Sequence, residues 1–391
     1  MTKSSRSSNV FKPQRRLVRY TPRILTVVPI CDGHDSAIIT INFEFARNGI
    51  EVIYLGYHRS VRDVVRAAIQ EDVHAIGISS YNGGHIEFFS QVLGMLRDEG
   101  ATDIGVFGGG GGTITPEDVR LMKRRGVDEI FFAGTPLEKI VNFVQRTYSK
   151  QRRTVSRASL DGDPTDLELA RLLTAAERGY VPPRSAHSQS STLTVGITGP
   201  GGAGKSTLID ELALRFLDSQ PRARLAILSH DPSLTAKGAL LGDRATMVNA
   251  QDDRVFMRSV GTRGKPGGLA GETRRFVEIL RQSGFGLILV ESAGIGQEDL
   301  PFVKKLVDKQ ILVMSPDYGS RLQLQKIVML ETADIVVVNK ADLPASHTAY
   351  SELEQRLAMN KPCPKLIATV AKRHRDSGVD QLFHHLCPGA L

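Results

Sequence analysis

The chain has 391 residues, beyond the size at which one hydrophobic core usually stops growing, so two or more domains are expected. With 41% hydrophobic and 24% charged residues it falls outside the range of disordered chains, and no apolar run approaches the ~20 residues that span a bilayer, which excludes a membrane protein. The net charge of +8 is concentrated at one end: Lys3, Arg6, Lys12, Arg15, Arg16, Arg19 and Arg23 have no acid among them, so the body is nearly neutral and a nucleic-acid surface is not expected.

In chain order, residues 1–22 read as a basic disordered tail without the apolar stretch of an export signal. Cys31, Cys363 and Cys387 are too few and too scattered for a disulfide framework or a metal site, which points to a reducing cytosol. Residues 23–149 alternate strand-like and helical patterns: Ile24–Pro29, helix Ser36–Asn48, Glu51–Leu55, helix Val61–Glu71, Ala75–Ser79, helix Ile86–Asp98, Asp103–Phe107, helix Pro116–Arg125, Glu129–Phe132 and helix Pro136–Ser149. The strands are continuous short apolar runs, as expected when both faces of a sheet are covered, so five parallel strands of flavodoxin-like size are predicted. Asp32-Gly33-His34-Asp35 follows the first strand, Ser79, Ser80, Gly83 and Gly84 follow the third, and Gly108, Gly109 and Gly110 begin a run of five glycines after the fourth. Glycines there remove Cβ atoms between sheet edge and helix and leave room for a buried ligand.

Residues 150–192 are polar and rich in Ser, Pro and Arg, and they bracket one helical stretch, Pro164 to Tyr180, as a structured linker would. From 193 to 391 the alternation resumes with strands Leu193–Thr198, Arg224–Ser229, Leu287–Glu291, Lys309–Met314 and Ile335–Asn339. Between the first of these and the helical Thr207–Leu217 stand Gly199, Gly201, Gly202, Ala203, Gly204, Lys205, Ser206 and Thr207, the GxxxxGK[ST] pattern. Small residues let backbone N–H groups wrap phosphates, Lys205 reaches the β and γ oxygens, and the Ser206 hydroxyl suits Mg²⁺. Asn339, Lys340 and Asp342 close a later strand at the ligand-binding edge of the sheet, where an Asp carboxylate can accept both N1–H and N2–H of guanine. Asp231, Asp243 and Glu291 lie at strand and loop ends where a hard cation finds oxygen ligands; Glu291 ends an apolar strand before a glycine hinge. Lys205 and Glu291 are therefore the expected catalytic groups, and Ser206, Asp231, Asp243 and Glu291 the expected surroundings of Mg²⁺.

These motifs carry a resemblance. Residues 230–247, 290–300 and 331–342, with the phosphate loop, resemble the G-protein chaperones of cobalamin-dependent acyl-CoA mutases, the MeaB family. In that family's pattern the stretch Gly261 to Gly271, with Arg263 and Lys265, is a mobile loop, and its glycines equally suit a plain surface loop. Asp32 and His34 resemble the cobalamin motif DxHxxG, with Ala37 in place of its glycine; the resemblance implies His34 as the lower cobalt ligand and Asp32 as its partner, a pairing that fixes the imidazole tautomer. The order of the segments is similar to that of the fused isobutyryl-CoA mutases. It implies an α/β fold, a flavodoxin-like cobalamin-binding domain followed by a P-loop GTPase domain. It also implies adenosylcobalamin, GTP and Mg²⁺ as cofactors, a separate acyl-CoA mutase catalytic subunit and an adenosyltransferase as partners, self-association, and GTP hydrolysis that gates cofactor delivery or protection. The alternatives are the cofactor-binding small subunit of a split mutase and a cobalamin-responsive regulator.

Overall fold

Aliphatic runs too short for helices, set between amphipathic stretches, form parallel strands here because helices cover both faces of each sheet. The structure, a computed structural model, describes residues 21–149 except 31 and 35, 164–180, and 192–388 except 234–237, 295–299, 303–304, 319–327 and 360–362. The basic tail and most of the polar linker lie outside the described residues.

In the first half, β1 (Arg23–Val27), β2 (Glu51–Tyr54), β3 (Ala75–Ser79), β4 (Gly105–Gly110) and β5 (Glu129–Phe132) alternate with α1 (Ser36–Arg47), α2 (Val61–Gln70), α3 (His85–Asp98), α4 (Pro116–Arg125) and α5 (Leu137–Tyr148). They pair in the order β5-β4-β3-β1-β2, all parallel. Capping boxes start α2 (Ser60 with Asp63) and α4 (Thr115 with Asp118, Pro116 at its first turn), which satisfies amide groups that the helix cannot.

In the second half β6 (Leu193–Thr198), β7 (Arg224–Asp231), β9 (Val255–Gly261), β10 (Phe285–Glu291), β11 (Lys309–Met314), β12 (Ile335–Val338) and β13 (Lys365–Ala368) form a second parallel sheet in the order β13-β12-β11-β6-β10-β7-β9. Helices α7 (Lys205–Ser219), α9 (Thr273–Arg281), α10 (Ser346–Leu357) and α11 (Ser377–Leu386) cover it. The central strands are buried along nearly their whole length, and Val195, Ile197, Leu208, Leu212, Leu289 and Val313 sit in one core cluster. No helix among the described residues is long and apolar enough to cross a membrane.

Four sequence expectations are corrected. β4 runs on through the glycines, with Gly108 and Gly109 opposite Ile78 and Ser79; residues without side chains give no strand signal, and the neighbouring strands impose the ladder. The first sheet has six strands, because β8 (Ala239–Leu241), from the second half, pairs with β2 in the register Glu51↔Ala239 to Ile53↔Leu241. The linker helix, α6 (Asp166–Glu177), buries Leu169, Leu172, Leu173 and Ala176 against Leu228, Phe256 and Phe276, so it belongs to the core of the second sheet. Arg263, expected in a mobile loop, is pinned by ion pairs to Glu51 at 2.8 Å and Glu177 at 3.5 Å.

Hydrocarbon joins the halves through Ala239 and Leu241, which lie in the core of the first sheet, and charge joins them as well. Arg23 pairs with Glu51 at 3.0 Å and Glu71 at 2.6 Å, and Arg244, from a single turn α8 (Asp243–Thr246), pairs with Glu71 at 3.1 Å. All four are buried. A buried pair contributes little net stability, but loss of one partner strands the other at a cost of about 3–5 kcal/mol, so the network fixes the register between the halves.

Candidate functional site

Two sites lie at the carboxyl ends of the two sheets, where open α/β folds bind ligands. In the first, the loop after β1 brings His34 beside Asp32: Nδ1 is 2.8 Å from Asp32 Oδ1, and the His34 amide donates to the same oxygen at 3.0 Å. Oδ2 of Asp32 accepts the amides of Tyr81 and Asn82. Burial alone would raise the Asp32 carboxyl, but these backbone donors and His34 hold it below the usual range, so a buried carboxylate fixes one ring nitrogen. The His34 ring lies 4.8 Å from the Tyr81 ring and remains 61% exposed, which leaves Nε2 available to a ligand.

His34 stands at the edge of a cavity of about 590 Å³ lined by Ser79, Phe107, Gly108, Gly109, Gly110 and Phe131, among others. The glycines are required by close approach: a Cβ on Gly110 would lie 1.6 Å from the Ser80 carbonyl oxygen, and one on Gly108 2.4 Å from that of Ile78. Of the other expected contacts, Ser79 lines the cavity. Ser80 is buried and its hydroxyl donates to the Asn82 carbonyl instead, while Gly83 and Gly84 lie outside the lining; Gly84 starts α3 with φ 88°. A mostly apolar slot of this size, with one positioned imidazole at its mouth, fits the nucleotide tail and cobalt of a cobalamin.

In the second site Gly204, at φ 89°, lets the phosphate loop turn into α7. Lys205 is buried, and its ammonium donates to the carbonyls of Gly199 at 3.1 Å and Pro200 at 3.2 Å, the loop's own groups standing in for phosphate. Ser206 Oγ donates within reach of Glu291 (2.9 Å) and Asp243 (3.3 Å), and Ser229 Oγ bridges the same two acids at 3.0 Å and 2.5 Å. Among the described residues Asp231 Oδ2 is buried with no hydrogen-bond partner. Burial, then Asp243, pushes Glu291 up to about 8 against the pull of Lys205, and burial with both neighbours raises Asp231 as well. Among the described residues no three His, Cys, Asp or Glu side chains converge as a ready-made metal cage. Mg²⁺ takes one or two carboxylates and completes its shell from phosphate and water. Crowded acids with an orphaned oxygen beside the Ser206 hydroxyl fit that ion.

The base motif reaches the same edge. Asn339 Nδ2 donates to Ala203 O of the phosphate loop at 2.9 Å, and its Oδ1 accepts Thr369 Oγ1 and the Ala371 amide, both at 3.1 Å. Lys340 turns the chain at φ 58°, and Asp342 ion-pairs with Lys372 at 2.5 Å, which holds its carboxyl below the usual range. Sequence reading did not single out Thr369, Ala371 and Lys372; the short apolar run of β13 just before them was the available signal. Nor did it single out Ser229 or His230. His230 is buried between Glu291 O and Thr273 Oγ1, each at 2.8 Å, and burial lowers it to about 4, so it stays neutral.

Comparison with known proteins decides the lineage of this second site. Residues 183–387, more than half of the chain, match the family described as methylmalonyl-CoA mutase-associated GTPase MeaB. The chain belongs to the MeaB GTPase family. Residues 22–141, upstream of that MeaB region, match the B12-binding domain family. A putative GTPase of Pyrococcus abyssi is 36% identical over 228 residues, which cover 55% of this chain and 69% of that protein. The fused isobutyryl-CoA mutases of Cupriavidus metallidurans and Geobacillus kaustophilus are 37% and 34% identical, over 94% and 96% of this chain. The chain spans 36% and 37% of their lengths.

Proposed function

We propose that this MeaB-family chain is a cytosolic cobalamin-binding, Mg²⁺-dependent GTPase whose nucleotide state gates delivery or protection of adenosylcobalamin for an acyl-CoA mutase catalytic subunit. In the GTPase site Lys205 exchanges the carbonyls of Gly199 and Pro200 for phosphate oxygens and meets the charge that develops in phosphoryl transfer. Mg²⁺ supplies neutralisation of the β- and γ-phosphate charge. Ser206, Asp243 and Glu291 would hold it, with Asp231 behind them. Asn339 braces the loop against the base site, and Asp342 takes the guanine edge. In the other half Asp32 fixes the His34 tautomer, so His34 Nε2 would hold the cobalt and the glycine-lined slot would hold the nucleotide tail. Cobalamin supplies the cobalt–carbon bond that a mutase cleaves. Isomerisation of an acyl-CoA belongs to the partner.

One observation carries the gating reading. The segment that forms β8 in the cobalamin-domain sheet continues within two residues into Asp243 of the acid cluster, so one short stretch of chain belongs to that sheet and to the GTPase site. The site assignment is tested by absorption spectra of bound cobalamin. Wild type is expected to bind it base-off with His34 on cobalt, His34→Ala to change the spectrum, and Asp32→Asn to weaken binding about 10- to 100-fold. An unchanged spectrum in His34→Ala rejects it.

A further inference from the structure

We infer that Glu71 and Gln70, on the cobalamin-binding half, act through Arg244 as positioning residues for Asp243, so that one domain builds part of the other's Mg²⁺ site. The inference rests on the GTPase reading above and adds to it residues outside the phosphate loop, the base motif and the acid cluster.

The argument starts from α8. A helix of four residues has no stability of its own, and its first residue, Asp243, follows Gly242, which offers no side-chain cap. Its position is therefore set by what grips it. The Arg244 side chain is fully buried. Its Nε donates to Glu71 Oε1 at 3.1 Å and its Nη2 to Gln70 Oε1 at 3.0 Å and to the Met257 carbonyl. One residue on, the Ala245 carbonyl accepts Arg59 Nη2 at 2.8 Å. Just before it, β8 is held by β2. Met257 apart, each of these partners belongs to the cobalamin-binding half. On the GTPase side the Asp243 side chain meets the hydroxyls of Ser206 and Ser229, and its backbone amide, with that of Gly242, faces the Asp231 carboxylate.

Glu71 is itself locked. It receives Arg23 at 2.6 Å and the Ser259 amide and hydroxyl at 2.9–3.1 Å, and burial leaves it no exposure. A carboxylate so held is a fixed anchor, and the guanidinium, with planar and rigidly spaced donors, transmits its position to the next residue along the chain. A misplaced Asp243 then loses cation affinity, while the phosphate loop, which Arg244 does not touch, keeps its grip on nucleotide. Outer partners of this kind are worth about 10- to 100-fold in metal affinity.

The test is the release of a fluorescent GDP from the full chain as Mg²⁺ is titrated, with the same measurement in EDTA. In Glu71→Gln the Mg²⁺ concentration that half-maximally slows release is expected to rise about 10-fold, with GDP affinity in EDTA and turnover at saturating Mg²⁺ nearly unchanged. Arg244→Gln should show the same shift, and the double variant no more than either single one, because both break one link. Arg66→Gln removes another contact from α2 to β9, to the Val255 carbonyl, that does not reach α8; it should leave the Mg²⁺ dependence where it was. Cobalamin binding reports that each variant is folded. If Glu71→Gln fails that check, Gln70→Met, which removes the neutral half of the grip, is expected to give a smaller shift in the same direction. Folded variants with wild-type Mg²⁺ dependence overturn the inference, as does an equal loss of GDP affinity with and without Mg²⁺, or an equal shift in Arg66→Gln. A wild-type chain whose GDP affinity ignores Mg²⁺ rejects the GTPase reading itself, and the positioning role with it.

Discussion

Lys205→Ala is expected to lower GTP turnover by on the order of 10³-fold, the cost of removing a preorganised donor from developing phosphate charge. The side chain is buried, and its charge is held in a low-dielectric setting by Glu291, Asp243 and Asp231; burial pulls its pKa down and these acids pull it back up. No water fills the place of the ammonium with the same charge. The cobalamin spectrum of the variant should match wild type, since His34 and the glycine-lined slot stand on the other sheet. Steady-state GTP hydrolysis alongside the spectrum checks both halves of this expectation. Retained turnover would remove Lys205 from the reaction, and loss of both properties would report misfolding.

The second large effect concerns the base. Asp342 is an acceptor-only carboxylate, held ionised by Lys372, at the edge of a motif whose Asn339 is tied to the phosphate loop. Guanine offers it two donors and adenine offers none in that place, so GTP should be preferred over ATP by about 10⁴-fold or more. Asp342→Asn turns one acceptor into a donor. Guanine then meets a donor with its own N2–H, whereas xanthine, with a carbonyl at that position, meets it with an acceptor. The variant is expected to lose GTP affinity by roughly 10²-fold or more and to gain affinity for the xanthine nucleotide. Competition binding with GTP, ATP and XTP reads the outcome; equal GTP affinity in wild type and variant would take the base contact away from Asp342.

The parts legible in the sequence were those written in contiguous residues. Gly199 to Thr207 and Asn339 to Asp342 carry their chemistry in their spacing, and Asp32 and His34 lie two residues apart. Strands such as β3, β5, β6 and β11 have the expected bounds, because a continuous apolar run between polar turns admits little else. What stayed hidden depends on residues far apart in the chain. β8 is three residues long and becomes a strand only because β2 offers an open edge. The apolar side of α6 was visible, but nothing local says that it packs on Phe256 and Phe276. Ser229 and His230 look like any strand end until β10 places Glu291 beside them. Glu71 closes α2 as an ordinary exposed glutamate would; its burial exists only once Arg23, Arg244 and Ser259 surround it.

A chain in which one short segment links the cobalamin-domain sheet to the acid cluster of the GTPase site should bind its two ligands interdependently. A G domain shifts another equilibrium only through contacts that differ between its nucleotide states, and linkage makes the effect reciprocal. The direct measurement is the affinity of the full chain for adenosylcobalamin in the presence of Mg²⁺·GDP and of Mg²⁺ with a non-hydrolysable GTP analogue, together with the affinity for that analogue with and without cobalamin. The two cobalamin affinities are predicted to differ by about 5- to 150-fold, with the same factor in the reciprocal experiment. Equal affinities in both nucleotide states and in the reciprocal titration would contradict gating.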